Sequence, residues 1–464
     1  MTTKTEAAVP TPLRPQPARW GVALAAALVL AGCGGGGDDA PISVACDLPS
    51  QRSGLRDHLR SWYYYNAQMP DPVAAGFSSI TDYYAGLLYT SSNFPGVSNP
   101  SPAFDRWSYV QDSASYNQFF GEGQSLGYGL FVAGQAADPL PLRVRYVTPG
   151  SPADAAGLRR GMVIDSINGV AADQLKATGN FSALSPAAEG VTVDLMVRDT
   201  PAAPTPRALR LTANTHTLTP VSQASVLTSP GSRKVAYLHY KDFIAAGQGP
   251  TLQSAFASFR AQGATEMVLD MRYNGGGRIS VSQELASRIV GSSRANQAFT
   301  TLTFNAQHRA EDFTYQFQSE TDALALNRVM VLAGPRTCSA SELVVNGLRG
   351  VGVNAVLIGT TTCGKPFGFR PYEQCGNTYS AVNFRSVNAQ GRADYDTGMT
   401  PTCTVADDFD HPQGDPAERL TAAALSYIDT GACPVASARE QAQAVRPRSP
   451  WVNDGDRPPG MWAR

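Results

Sequence analysis

The sequence predicts a multidomain α/β chain, with a helical N-terminal cap, a β-rich middle domain and an α/β core. Three observations carry that expectation. Apolar and aromatic residues recur at helical spacing before about residue 115, alternating strands fill the next hundred residues, and beyond about residue 233 the order becomes strand, loop, helix, strand. With 464 residues, 43% of them hydrophobic, the chain has room for roughly three domains and enough apolar surface to bury their cores. Lys+Arg 37 against Asp+Glu 38 leaves a net charge of −1, without the basic footprint of a nucleic-acid binder. Gly 43 and Pro 33 supply many turns, and so many loops on which a site can sit.

The N-terminus reads as an address. Lys4, Arg14 and Arg19 precede an apolar run from Trp20 to Gly32 that ends at Cys33. A helix of that length rises only about 20 Å, short of a hydrocarbon core of about 30 Å, so residues 1–32 are expected to be an export signal. Leu30-Ala31-Gly32-Cys33 resembles a bacterial lipobox. That resemblance implies lipidation of Cys33 and a stable anchor from several acyl chains, an ordinary cleaved secretory signal being the alternative. Gly34 to Asp39 reads as part of a flexible tether over 33–45. With Gly rather than Asp at position 34, the expected location is the periplasmic face of the cell envelope, leaning towards the outer membrane.

Six further cysteines, Cys46, Cys338, Cys363, Cys375, Cys403 and Cys433, form an even set that suits disulfides in an oxidising compartment. No CxxC or Cys/His cluster exists and the five His are scattered, so neither a metal nor a cofactor is expected.

Within the cap, 46–115, Leu55, His58, Leu59 and Trp62 place an apolar face on one helix. Basic residues are too sparse among the aromatics for nucleic-acid stacking, so packing on a neighbouring domain is the expected role. Across 116–215, Arg143-Val144-Arg145-Tyr146-Val147 and the stretch from Val191 to Val197 alternate as strands, with Leu209 and Leu211 marking a hairpin partner beyond Pro201, Pro204 and Pro206. Ser151 can cap a short helix opened by Pro152 and ended by Gly157, and Asn168-Gly169 is a hairpin turn. This segment, with its Gly161-Met162-Val163-Ile164-Asp165-Ser166-Ile167-Asn168-Gly169 run, resembles a PDZ domain. The resemblance implies that Gly127-Tyr128-Gly129-Leu130 is a carboxylate-binding loop for a peptide C-terminus that adds a strand to the sheet edge.

Core strands are expected at Val235–Tyr240, Met267–Arg272, Val329–Leu332 and Ala355–Ile358. The second runs into Tyr273-Asn274-Gly275-Gly276-Gly277 and then a helix carrying Ile279, Leu285, Ala286 and Ile289 on one side. After the third strand comes Thr337-Cys338-Ser339-Ala340-Ser341-Glu342-Leu343 and a helical pattern. A Ser there is an ordinary helix cap by position alone, yet the same position puts its oxygen where unpaired N–H groups and the macrodipole favour negative charge. The glycine loop lacks the G-K-[ST] of a phosphate cradle. A serine nucleophile needs a base, and Lys365, in Thr362-Cys363-Gly364-Lys365-Pro366 after the fourth strand, is the candidate, since burial disfavours its ammonium form.

Residues 233–435 resemble the C-terminal processing peptidases, or tail-specific proteases. The matching runs are Leu269-Asp270-Met271-Arg272-Tyr273-Asn274-Gly275-Gly276-Gly277, Ser339-Ala340-Ser341-Glu342-Leu343, Gly364-Lys365 and Gly398-Met399-Thr400-Pro401, and the preceding cap and PDZ domain fit the family's order. The resemblance implies a catalytic domain over 216–435, with Ser339 as nucleophile, Lys365 as general base and an oxyanion hole from backbone N–H groups of Ala340 and of Gly275 or Gly276. It implies a cell-envelope serine endopeptidase cleaving proteins or peptides near their C-termini, with unstructured tails as partners and no nucleic acid. One departure stands out: many relatives carry a Gln four residues after the Lys, where this chain has Phe369. That substitution supports an alternative, a peptide-binding scaffold with weak or lost catalysis. Asp105-Arg106-Trp107-Ser108-Tyr109 contains no His to replace the lysine, and His239 sits in an apolar strand as a packed neutral side chain. Expected pairings are Cys338 with Cys363, bracing the dyad, Cys375 with Cys403, and Cys46 with Cys433. Residues 436–464, rich in Pro, are expected to be a disordered tail.

Overall fold

The computed structural model describes residues 45–134 and 141–435 and the backbone of 460–462. The signal, Cys33 and the tether expected at the N-terminus lie outside the described residues.

The core is built on one six-stranded sheet in the order Val221–Thr228, Lys234–Tyr240, Glu266–Asp270, Arg328–Ala333, Asn354–Gly359 and Cys403–Thr404. The first pair is antiparallel and every other pair is parallel. Such strands are covered on both faces, which is why they read as continuous apolar runs rather than alternating ones. Leu238, Leu269, Val331 and Leu357 face helices Pro250–Ala261, Ile279–Val290 and Ala340–Gly350. Tyr237, Val268, Met330 and Ile358 face helix Arg419–Thr430. The second strand ends at Asp270, earlier than its apolar run suggests, so Met271 and Arg272 belong to the loop.

A second sheet has the order Gly276–Arg278, Gly460–Trp462, Phe367–Phe369, Val382–Val387, Ala298–Phe304 and Phe313–Gln316. Residues 460–462 therefore hold a strand position inside the stretch expected to be disordered. A backbone slot with pairing groups on both sides overrides the composition of that stretch.

Helix Leu48–Trp62 buries Leu55 and Leu59, while His58 stacks on Tyr372 at 3.9 Å and Trp62 on His308 at 3.7 Å. The cap packs on the second sheet, where the Tyr64 N–H donates to the Val382 carbonyl (2.7 Å). The boundary expected at 115/116 falls inside helix Ser113–Phe120, and the middle domain's last strand, Asn214–Thr217, runs two residues past 215. Between them, strands Leu130–Ala133, Arg143–Val147, Val163–Ile167, Thr192–Arg198 and Arg207–Thr212 form the middle-domain sheet. Ser151 caps helix Pro152–Ala155, and Asn168 and Gly169 both take positive φ in the turn.

The disulfides are Cys46–Cys375, Cys338–Cys363 and Cys403–Cys433. Two expected pairings are thereby corrected. Cys46 precedes the helix that stacks on the Tyr372 hairpin, which brings it to Cys375. Cys403 lies on the edge strand of the central sheet, on whose face helix Arg419–Thr430 packs and returns Cys433 to it.

Candidate active site

Two loops leave adjacent ends of the parallel strands and meet. The Arg328–Ala333 strand ends in a turn in which the Gly334 N–H donates to Thr337 Oγ1 and that hydroxyl to the Met271 carbonyl, both 2.9 Å. Ser339 then sits at φ +61°, ψ −113°, a conformation rare for a residue with a side chain. The strain holds Ser339 at the start of helix Ala340–Gly350, whose first-turn N–H groups have no intrahelical acceptor. Ser339 is fully buried, and its Oγ has no hydrogen-bond partner among the described residues. It therefore does not serve as the ordinary cap that its position allows. A buried, unspent hydroxyl is costly to a fold unless it has chemistry to do.

The glycine loop is tied to this elbow through Asn274. The Asn274 carbonyl accepts from the Cys338 N–H (3.1 Å) and Ser341 Oγ (2.9 Å), and its side chain spans from the Tyr240 carbonyl (2.9 Å) to the Gly276 N–H (2.8 Å). At Gly277 a Cβ would stand 2.1 Å from the Phe243 carbonyl oxygen, so only glycine fits there. Gly275 lies between, half-buried.

Glu342 joins the serine to the lysine. Its Oε2 accepts the Ser339 N–H (2.9 Å) and the Lys365 N–H (2.8 Å), while Oε1 accepts the Gly364 N–H (2.6 Å) and the Thr362 hydroxyl. Burial leaves this carboxyl's pKa raised, with the four donors pulling the other way; three of those donors are backbone N–H groups that can only donate, so both carboxyl oxygens are placed as acceptors. The Cys338–Cys363 bridge adds a covalent tie between the same loops. Gly364 and Gly398 approach backbone to backbone, and the Met399 N–H donates to Thr362 Oγ1 (2.7 Å), which accounts for the Gly398-Met399 run.

Lys365 is fully buried, with Nζ 3.9 Å from the centre of the Phe369 ring and 5.5 Å from that of Trp107. Burial drives its amine well below the usual lysine range, against the opposing pull of Asp105 and Glu342. Asp105 is itself buried and accepts from Tyr63 Oη (2.7 Å), the Trp107 N–H (2.8 Å) and Ser108. The cap thus supplies one wall of the lysine's pocket.

Burial of the His239 imidazole lowers its pKa to about 4. Cys338, Glu342 and Cys363 are a grouping of three potential metal donors among the described residues, but the two sulfurs are joined to each other.

In the middle domain, Tyr128 and Leu130 are buried in its core and Gly129, at φ +68°, lies against Ser151. Arg160 links this domain to the core, donating to Tyr273 Oη, Asp407 (2.7 Å) and the Asp408 carbonyl (2.8 Å).

Glu342, Asn274, Asp105 and Trp107 are the positioning residues that sequence reasoning did not assign. The spacing Ser339-x-x-Glu342 is the capping-box signature and was the available signal for the first of them.

Residues 234–405 match the model of peptidase family S41, 50–109 that of the peptidase S41 N-terminal domain, and 143–191 that of a PDZ domain. The chain belongs to peptidase family S41, with a PDZ domain. It is 31% identical over 224 residues to a carboxyl-terminal-processing protease of Picosynechococcus sp., covering 48% of this chain and 50% of that one. It is 27% identical over 251 residues to a chloroplastic C-terminal processing peptidase of Tetradesmus obliquus, covering 52% of each. The chain spans about half the length of these relatives. A crystal structure of an S41 protease from Bacteroides fragilis superposes with a TM-score of 0.61 at 25% identity, covering 82% of this chain and 97% of that one. This S41 protein has, among its described residues, no helix long and apolar enough to cross a membrane.

Proposed function

We propose that this protein is a serine endopeptidase that cleaves polypeptides near their C-termini through an acyl-enzyme, with Ser339 as nucleophile and Lys365 as general base. The observation that carries this reading is the shared Glu342 oxygen, which accepts the N–H of both residues. Ser339 Oγ adds to the peptide carbonyl as its proton passes to the neutral Lys365 amine. Lys365 returns that proton to the leaving amine, then takes one from the water that hydrolyses the ester. Because Asn274 already occupies the Gly276 N–H, we assign the oxyanion contacts to the N–H groups of Gly275 and Ala340, the latter helped by its helix start. The PDZ loop Gly127-Tyr128-Gly129-Leu130 is proposed to hold a substrate's terminal carboxylate, its two aromatic and aliphatic side chains anchoring the loop in the domain core. Export and lipidation at Cys33, placing the enzyme at the cell envelope, rest on the run that ends in Leu30-Ala31-Gly32-Cys33.

Phe369, standing where many relatives carry a Gln, favours a second reading, a peptide-binding scaffold. Intact-mass analysis after exposure to a serine-acylating probe separates the two. The enzyme reading expects an adduct on the wild type that is absent from folded Ser339→Ala and Lys365→Ala. An unlabelled wild type that still binds peptide through the PDZ domain would establish the scaffold.

A further inference from the structure

The second sheet contains a backbone slot whose two walls are both parts of the active site. One wall is Gly276–Arg278, the continuation of the glycine loop, and the other is Phe367–Phe369, which begins two residues after Lys365. Residues 460–462 of the chain fill this slot. They run parallel to the first wall, with Gly460 opposite Gly276, Met461 opposite Gly277 and Trp462 opposite Arg278, and Trp462 is also opposite Phe369 of the second wall. The walls are not paired to each other in the sheet order, so the inserted strand is what joins them.

A vacant slot of this kind presents the N–H and C=O groups of two facing backbones, and an extended polypeptide satisfies both at once. Recognition by main-chain pairing is largely indifferent to side chains. Gly276 and Gly277 add no side chain that would keep a partner's backbone away. The slot therefore fits an unstructured polypeptide strand, and its first wall opens beside the Gly275 N–H assigned to the oxyanion.

We propose that this slot is the polypeptide-binding site of the enzyme and that the chain's own segment at 460–462 is its intramolecular ligand, competing with polypeptides that arrive from outside. The proposal rests on the peptidase reading for its consequence, but its central claim, occupancy of the slot, is tested without catalysis. The 24 residues of 436–459 span up to roughly 80 Å when extended, ample reach from the end of the core. A tethered segment acts at an effective concentration of about 1 mM, so a slot that binds the free peptide with a Kd near ~0.1 mM is roughly nine-tenths filled in cis.

The test uses the full chain in a Ser339→Ala background, with and without Gly460→Pro/Met461→Pro. The two prolines remove consecutive N–H donors from the inserted strand, one facing each wall. The probe is a fluorescein-labelled peptide of residues 455–464 with an amidated C-terminus, which denies the PDZ loop a carboxylate. Fluorescence anisotropy is expected to show binding to the proline variant about tenfold tighter than to the unsubstituted chain. Equal binding to both chains, or none to the proline variant, overturns the proposal. Acylation of Ser339 in the otherwise wild-type chain is measured separately and judges the peptidase reading alone. A chain that labels normally but shows no difference in peptide affinity would retain its proposed activity and lose its internal ligand.

Discussion

Glu342→Gln is the most informative single change, because it preserves shape and removes half of a carboxylate. The ionised group accepts four hydrogen bonds, two on each oxygen. An amide keeps one accepting oxygen and turns an NH2 towards the other two donors. If that side holds Thr362, the hydroxyl can rotate to accept, but the N–H of Gly364 cannot; on the other side, neither the Ser339 nor the Lys365 N–H can. One charge-assisted bond is lost in the first orientation and two in the second, at about 1.5–3 kcal/mol each, partly offset because the buried charge is gone, leaving a net cost of about 1–4 kcal/mol. At roughly 2–4 °C per kcal/mol in a unit this large, Tm should fall by about 3–15 °C. The serine and lysine loops lose their common anchor, and a shift of about 1 Å at the reacting atoms costs on the order of 100-fold in rate. Thermal denaturation and the rate of Ser339 acylation by an activated ester read the two effects separately. A variant that melts within about 1 °C of wild type and acylates within about twofold would refute the claim that this carboxylate holds the dyad together.

Four further changes probe the surroundings. Lys365→Arg should abolish acylation throughout pH 6–9, since a guanidinium does not release its proton, and retained labelling would exclude Lys365 as the base. Because burial lowers the Lys365 pKa in the fold, the unfolded chain binds more protons between that lowered value and 10.5, so stability rises with pH across this window; Lys365→Met should remove the slope in pH-resolved urea melts. Cys338→Ala/Cys363→Ala opens a bridge with a sequence separation of 25. It should cost about 3–4 kcal/mol in urea denaturation and slow acylation, whereas an unchanged midpoint and rate would make the bridge incidental. His239, held at a pKa of about 4, contributes stability that is present above pH 6.5 and lost as pH falls from 6.5 towards 4. His239→Asn should flatten that loss, roughly 3 kcal/mol over the window, while leaving Ser339 labelling intact; loss of labelling would give the histidine a part in the chemistry.

The architecture was readable because buried parallel strands announce themselves. Val235 to Tyr240 is apolar or aromatic at every position but His239, Val329 to Leu332 is apolar throughout, and each is followed by a polar loop and a helix. The short runs around Ser339 and Lys365 marked them as candidates, and the structure brings both backbone N–H groups onto one Glu342 oxygen. Other elements left fainter traces. The strands of the second sheet, such as Phe367–Phe369 and Ala298–Phe304, are short or mixed in character and gain their identity only from partners distant in sequence. The disulfides of Cys375 and Cys403 depend on how a helix docks, which local pattern does not encode. Asp105 and Trp107 stood in a stretch notable only for containing no His, and only the packing of cap on core puts them beside Lys365, some 260 residues away. Glu342 was in view as part of a motif, but its reach to Thr362, Gly364 and Lys365 is a property of the assembled loops.

Phe369 puts a ring at the lysine's side, and the rings of Phe369 and Trp107 bound the amine sterically from two segments. The rings also attract an ammonium, by about 0.5–2 kcal/mol for a cation over an aromatic face, and Asp105 and Glu342 pull the same way. Three influences therefore favour the protonated form, and burial outweighs them all in setting the direction of the shift. In the proposed mechanism such an amine accepts the serine proton while staying close to groups that stabilise the cation it becomes. The same packing makes the N-terminal cap a wall of the lysine's pocket. Asp105 reaches its place only because Tyr63, the Trp107 N–H and Ser108 hold it there, and the Cys46–Cys375 bridge fastens that cap to the core. A site assembled this way depends on the cap being docked: without it, Lys365 loses a wall and gains water, and water restores the ordinary ammonium that cannot act as a base.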